Sequence, residues 1–170
     1  MKILISDKMS NKVEDVLKSK SLDYDIKTGL EPNELKSIID DYDGILIRSA
    51  TQLTADILEN CSNLKVIGRA GVGVDNVDLD VATKNKILVM NTPLGNLEAT
   101  AELTVGLMFS LYRHIHNANT STHEGKWEKA KFMGTELKGK TLGIVGFGNI
   151  GQRRSEEHTS ELQSRQYLVC

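Results

Sequence analysis

Lys65-Val66-Ile67-Gly68-Arg69-Ala70-Gly71-Val72-Gly73-Val74-Asp75 is a short apolar run that empties into a glycine-punctuated turn. Its first part, KVIGR, is one of five such runs; the others begin at Lys2 (KILIS), Leu22 (LDYDIK), Gly44 (GILIR) and Ile87 (ILVM), and successive starts lie 20, 22, 21 and 22 residues apart. Helix-period segments fill the gaps. Val13, Val16 and Leu17 follow a Ser10 N-cap, and Leu35, Ile38 and Ile39 follow Pro32. Ile57 and Leu58 lie behind Thr54, and Val81 and Ala82 behind Asp78. Four of the runs are unbroken and only the second alternates, which predicts strands buried on both faces in a parallel sheet covered by helices. Residues 1–95 read as a first α/β domain.

After Thr92-Pro93 the pattern changes. Asn96 can cap a longer helix, about 25 residues, with apolar positions at Leu103, Leu107, Met108, Leu111 and Ile115; such a helix could bridge two domains. A sixth strand, Thr141–Val145, runs directly into Gly146-Phe147-Gly148-Asn149-Ile150-Gly151. A strand followed at once by G-x-G-x-x-G presents backbone N–H groups at a helix N-terminus, the cradle of a dinucleotide pyrophosphate. Gly146 permits the tight turn, Gly148 lets the pyrophosphate approach, and Gly151 lets helix and strand pack closely. The acidic ribose ligand of this fingerprint falls roughly 20 residues later, at or past the last residue, Cys170.

The segment Gln152–Glu161 (QRRSEEHTSE) holds no apolar side chain, although a helix at this place must pack one face on the sheet. Arg154–Ser164 (RSEEHTSELQS) resembles the in-frame translation of a widely used sequencing-adapter oligonucleotide. Natural sequence is therefore expected to end near Arg153, with residues 154–170 a non-native, disordered tail.

Of the 170 residues 39% are hydrophobic and 26% charged, with a net charge of −2. That balance, without a basic block, argues against a nucleic-acid or anionic-membrane surface. No run approaches a membrane span, and the N-terminal apolar run is too short for a signal peptide. Cys61 and Cys170 cannot form a disulfide framework, so a reduced, cytoplasmic setting is expected.

Two arginines close strands on the edge where open α/β sheets bind ligands: Arg48, followed by Ser49, and Arg69, followed by the Gly71–Gly73 turn. Together they point to a carboxylate or phosphate site, with the glycine turn offering an anion nest. His114, His116 and His123 lack metal-ligand spacing and read as solvated, as do Glu98 and Glu102. Cys61 and Trp127 read as packing residues.

These residues resemble the NAD-dependent D-isomer-specific 2-hydroxyacid dehydrogenases over about residues 1–153. The marks are RSAT (48–51), VIGRAGVGVDNVD (66–78), ILVMNTP (87–93), AELTVGL (101–107), GKWEKAKFMGTEL (125–137) and GKTLGIVGFGNIGQR (139–153). The resemblance implies a flavodoxin-like parallel-sheet substrate domain, built from the N-terminal region and the extreme C-terminus, around a Rossmann-type NAD-binding domain of which 96–153 is the truncated start. It implies NAD as cofactor, a small hydroxyacid as substrate, and a homo-oligomeric parent enzyme. Within the family it points to the branch that oxidises 3-phosphoglycerate to 3-phosphohydroxypyruvate in serine biosynthesis. Carried over, Arg48, Ser49, Arg69, Gly71, Gly73 and, at the hinge, Asn96 are substrate contacts. Val72, Gly146, Gly148, Asn149, Ile150 and Gly151 are cofactor contacts. The family's catalytic arginine and histidine–glutamate pair belong to sequence following this chain, and none of His114, His116, His123 or His158 sits in that motif. The chain alone is thus expected to be inactive and, with Leu103–Ile115 uncovered, to aggregate or be partly molten.

Three rivals remain at this point. A receiver-like module needs an acceptor aspartate where the third strand instead ends in Arg48. A glycerate or hydroxypyruvate dehydrogenase, or an NAD-sensing co-repressor of the same family, shares the motifs.

Overall fold

The computed structural model describes residues 1–146, 148–152 and 167–169. The chain divides into two units, Met1–Gly95 and Asn96–Cys170.

In the first unit the predicted strands form as β1 (Lys2–Ile5), β2 (Asp23–Ile26), β3 (Gly44–Ile47), β4 (Val66–Arg69) and β5 (Leu88–Asn91). All pair in parallel, in the order β2-β1-β3-β4-β5. This is the flavodoxin-like order, whose winding reverses between β1 and β3; ligands bind outside the strand carboxyl ends at such a reversal. Helices α1 (Lys12–Ser19), α2 (Pro32–Ile38), α3 (Ala55–Leu58) and α4 (Leu79–Lys84) alternate with the strands. The register sorts the side chains into two faces. The row Leu4, Ile45, Ile67 and Val89 faces the larger core, with Leu35, Ile39, Ile57, Leu58 and Ala82. On the other face Ile3, Ile5 and Leu46 pack with Leu17 and Val13 of α1.

That second face corrects one expectation. β5 carries an unbroken apolar run, yet Leu88 is 59% and Met90 50% exposed. They continue the rows Ile3–Gly44–Val66 and Ile5–Leu46–Gly68, at a sheet edge that α1 does not reach. The cap signals are mixed. Asp78 caps α4 as expected, its Oδ1 accepting from the Val81 amide at 3.0 Å. The N-cap of α1 is Asn11 rather than Ser10, whose Oγ accepts from the Lys12 amide at 3.4 Å.

Asp40 ties the end of α2 to the loop before β4: its carboxylate accepts from the amides of Asn63 (2.7 Å) and Ser62 (2.8 Å) and from the Ser62 hydroxyl (2.9 Å). The Asn63 amide, then the Ser62 contacts, hold this carboxyl below its ordinary value against the opposing effect of burial. A carboxyl depressed in the folded state stabilises above its unfolded pKa, about 3.9, and that contribution disappears as pH falls through the lower folded value. Unfolding midpoints of the wild type and Asp40→Asn should therefore differ at neutral pH and converge in acid. A difference independent of pH would contradict the assignment.

In the second unit, one helix of about 25 residues is expected, but two form: α5 (Leu97–Tyr112) and α6 (Ile115–His123). The break has a tertiary cause. The Tyr112 carbonyl, which a continuing helix would give to its own next turn, accepts instead from the Thr135 amide at 2.9 Å. A Cβ on the adjacent Gly134 would lie 2.2 Å from that oxygen, so only glycine brings this irregular segment so close. His114 takes the left-handed conformation (φ 53°) and starts α6. Trp127, expected to pack, is 84% exposed.

Strand β6 (Gly143–Val145) pairs in parallel with β7 (Tyr167–Val169), in register Gly143–Tyr167 to Val145–Val169. The tail expectation for residues 154–170 falls outside the described residues apart from β7, residues 167–169. No helix among the described residues is long and apolar enough to cross a membrane.

Candidate functional site

Arg48, Ser49, Arg69, Gly71 and Gly73 all lie on the carboxyl edge of the five-stranded sheet, Arg69 as the last residue of β4 and the others in the loops after β3 and β4. Arg48 and Ser49 are exposed. Arg69 is half-buried, in one register row with Ile47 and Asn91. Its guanidinium folds back over the following turn: a Cβ on Gly71 would lie 2.2 Å from Arg69 Nη1 and 2.7 Å from Cζ. Gly71 is therefore a place of close approach between the turn and the Arg69 side chain, whereas the sequence suggested an anion nest of backbone amides there. The turn is tied to the end of β5 at two consecutive carbonyls, by the Thr92 amide donating to that of Gly71 (3.0 Å) and Asn91 Nδ2 to that of Val72 (2.6 Å). The Val72 side chain stays exposed. Arg69 Nε is buried without a hydrogen-bond partner among the described residues, a donor that a desolvated anion would satisfy.

Beneath Arg48 lies a polar group that sequence reasoning missed. Ser6 and Asp7, directly after β1, and Asn76, in the turn before α4, are buried. Asp7 is 6% exposed and accepts from the Arg48 amide (2.5 Å), the Thr51 amide (3.3 Å) and the Thr51 hydroxyl (2.9 Å). Asn76 Nδ2 donates to the Arg48 carbonyl (2.8 Å) and the Thr51 carbonyl (2.7 Å). Asp7 was legible as a charged residue ending an apolar strand; nothing local marked Asn76. A cleft of about 350 Å³ opens beyond Asp7, between the ends of β1 and β2 and the start of α1; its lining includes neither arginine.

The remaining expected contacts belong to the second unit. Asn96 precedes α5 and is exposed; its side chain makes no cap bond, although its carbonyl accepts from the Thr100 amide at 3.0 Å. In the glycine loop, Gly146 has φ +87°. A Cβ on Gly151 would lie 2.3 Å from the Gly146 carbonyl oxygen, whereas one on Gly148 meets none of the described residues beyond its chain neighbours within 4 Å. Helical backbone starts at Asn149, and the Gln152 amide donates to the Gly148 carbonyl at 2.9 Å. The tight turn at Gly146, the open approach at Gly148 and the close packing at Gly151 follow the order a dinucleotide-binding loop requires. Phe147 lies outside the described residues.

Other candidates are inert. Burial pushes the Cys61 thiol pKa up, and its Sγ donates to the Ile57 carbonyl at 3.3 Å. Among the described residues no group of three His, Cys, Asp or Glu could hold a metal ion.

The family model of the D-isomer specific 2-hydroxyacid dehydrogenase catalytic domain matches residues 3–166. The chain belongs to this family. Among the 2-hydroxyacid dehydrogenases and related enzymes, D-3-phosphoglycerate dehydrogenase of Homo sapiens is 50% identical over 151 residues, 89% of this chain and 28% of that protein. Hydroxypyruvate reductase of Thermotoga maritima is 53% identical over 123 residues, 72% of this chain and 40% of its own length. The crystal structure of NAD⁺-bound 3-phosphoglycerate dehydrogenase of Entamoeba histolytica aligns with a TM-score of 0.78 at 29% identity, covering 100% of this chain and 54% of that one. The chain thus spans only 28% of the length of the human phosphoglycerate dehydrogenase it matches. Family membership removes the receiver-like rival.

Proposed function

We propose that this chain is the N-terminal part of a dehydrogenase that moves hydride between NAD and a D-2-hydroxyacid, with 3-phosphoglycerate and 3-phosphohydroxypyruvate as the substrate pair. The observation that carries the reading is the Arg69 guanidinium laid over Gly71, beside the exposed Arg48 and Ser49 on the sheet's ligand edge. A substrate with a carboxylate at one end and a phosphate at the other uses two cationic contacts. Arg69 and the Gly71–Gly73 turn hold the carboxylate, Arg48 and Ser49 take the remaining anionic group, and Asn96 adds a hinge contact. Val72 approaches the cofactor. Gly146, Gly148 and Gly151 shape the loop over which Asn149 and Ile150 carry the pyrophosphate, and the open space at Gly148 fits that group.

NAD supplies the hydride acceptor when bound. The chain's own residues fix the hydroxyacid so that its C2–H is presented and its carboxylate charge is neutralised. The hydroxyl proton must leave to a base as the hydride departs. By the family resemblance that base is a histidine paired with glutamate, in sequence following this chain. A homo-oligomeric parent is implied by the family resemblance, and the buried free thiol of Cys61 is consistent with a reducing, cytoplasmic setting.

The test is NADH oxidation by the full-length protein. Phosphohydroxypyruvate should be reduced with a kcat/KM at least about tenfold above that for hydroxypyruvate, the worth of one charged contact of about 1.4 kcal/mol. The 170-residue chain by itself should show no turnover. The Thermotoga maritima relative favours a second reading, in which hydroxypyruvate is the preferred substrate; the same assay decides between them. Turnover of neither would overturn both.

A further inference from the structure

We infer that Asp7 and Asn76 are positioning residues which hold the Arg48–Thr51 turn preformed for capturing the substrate anion, a role that deepens the dehydrogenase reading and rests on it. Four residues, Arg48 to Thr51, lead the chain out of β3, and both ends of this turn are clamped from opposite sides. Asp7 takes the amides of Arg48 and Thr51 and the Thr51 hydroxyl. Asn76 gives both protons of its amide to the carbonyls of the same two residues. The Ser6 hydroxyl lies 2.9 Å from the Thr51 hydroxyl and closes the group.

This is more than turn chemistry demands. A four-residue loop on a sheet edge normally leaves such amides and carbonyls to water, and burying a carboxylate is costly unless it is fully hydrogen-bonded. Here a buried carboxylate, satisfied by donors of a single turn, sits where the sheet winding reverses: Asp7 follows β1 and Arg48 follows β3. Crevice loops at that point must be rigid to hold a ligand without ordering cost. The Arg48 guanidinium does not pair with Asp7; its Nη1 donates to the Lys8 carbonyl at 3.3 Å, so its charge is left for a ligand while its backbone is locked. Asp7 and Asn76 act on the main chain of Arg48, and Arg48 acts on the anion.

The experiment uses the full-length protein carrying Asp7→Asn, Asn76→Asp, Thr51→Val or Thr51→Ser, with the core substitution Ile57→Val as a stability control. Asn76→Asp puts a carboxylate against two carbonyl oxygens, and Asp7→Asn removes the charge at nearly constant shape. Each should raise KM for the phosphorylated 2-oxoacid about tenfold or more, leave kcat within about twofold, and leave NADH affinity unchanged. Thr51→Val should raise KM as well, and Thr51→Ser, which keeps the hydroxyl, should recover most of that loss. Ile57→Val should lower the melting temperature without moving KM. A purely structural role predicts the opposite split, with kcat and melting temperature falling at constant KM, and would overturn the proposal. Calorimetric binding of 3-phosphoglycerate separates the two readings. If the wild type turns over no 2-oxoacid yet binds the ligand, and Asp7→Asn weakens that binding about tenfold, positioning stands and the dehydrogenase reading falls. If the variants bind as the wild type does, or the wild type binds no 3-phosphoglycerate, positioning falls. Should Asp7→Asn fail to fold, the Thr51 pair decides.

Discussion

Gly71→Ala in the full-length protein is expected to raise KM for the 2-oxoacid substrate by about 10- to 100-fold while leaving the unfolding free energy within about 0.5 kcal/mol. The two halves of that expectation have separate causes. A Cβ at Gly71 would lie 2.2 Å from Arg69 Nη1, 2.7 Å from Cζ and 3.2 Å from Nε, and these three nearest atoms all belong to one flexible side chain. The guanidinium can swing outward at little cost to the fold, but it then leaves the turn. What is lost is a charge-assisted contact to the substrate carboxylate, worth roughly 1.5–3 kcal/mol for a hydrogen bond to a charged group. The same logic predicts a smaller effect at Gly73, where the nearest atom is Asp75 Oδ1 at 2.7 Å and Arg69 Nη1 is 4.0 Å away. Steady-state kinetics and urea unfolding on one preparation check both halves. A Gly71→Ala protein with wild-type KM would remove Arg69 from the substrate site.

Gly151→Ala should do more damage and do it differently. Its Cβ would meet the Gly146 carbonyl oxygen at 2.3 Å and the Gly146 carbonyl carbon at 3.3 Å, and backbone cannot swing aside. Gly146 is itself held at φ +87°, a conformation that side chains resist, so the strain falls on the residue that makes the turn. NADH affinity should drop by at least about 100-fold, close to 3 kcal/mol, accompanied by loss of stability in the second unit. Gly148→Ala provides the contrast. Its Cβ meets none of the described residues beyond its chain neighbours within 4 Å, so stability should be kept while nucleotide binding weakens by direct obstruction of the ligand. Fluorescence titration with NADH, beside thermal unfolding, separates the two cases. Equal losses of stability in both variants would mean that the loop is a structural turn and not a nucleotide cradle.

Five apolar runs at near-constant spacing were enough to predict the strands, their parallel pairing and the helices between them, because burial on both faces leaves a pattern that needs no partner to be read. The Asp78 cap and the roles of Gly146 and Gly151 were legible for the same reason: each depends on neighbours a few residues away. The arginines could be placed at strand ends by counting.

Long-range contacts were another matter. The bonds that cage the Arg48–Thr51 turn join residues 41, 44, 28 and 25 positions apart, and no local pattern announces which polar residue will be buried against which. The break at His114 depends on Thr135 taking a carbonyl from a helix more than twenty residues earlier, in a sequence with every local reason to remain helical. Leu88 and Met90 read as core and lie exposed, since an edge strand's burial is set by which helix reaches it. Periodicity and turn chemistry, being local, determined the elements and placed both arginines on the ligand edge of the sheet; the fold alone decided where helices end, which apolar face is covered, and what hydrogen-bonds the Arg48 backbone, because those are settled by atoms that only folding brings into contact.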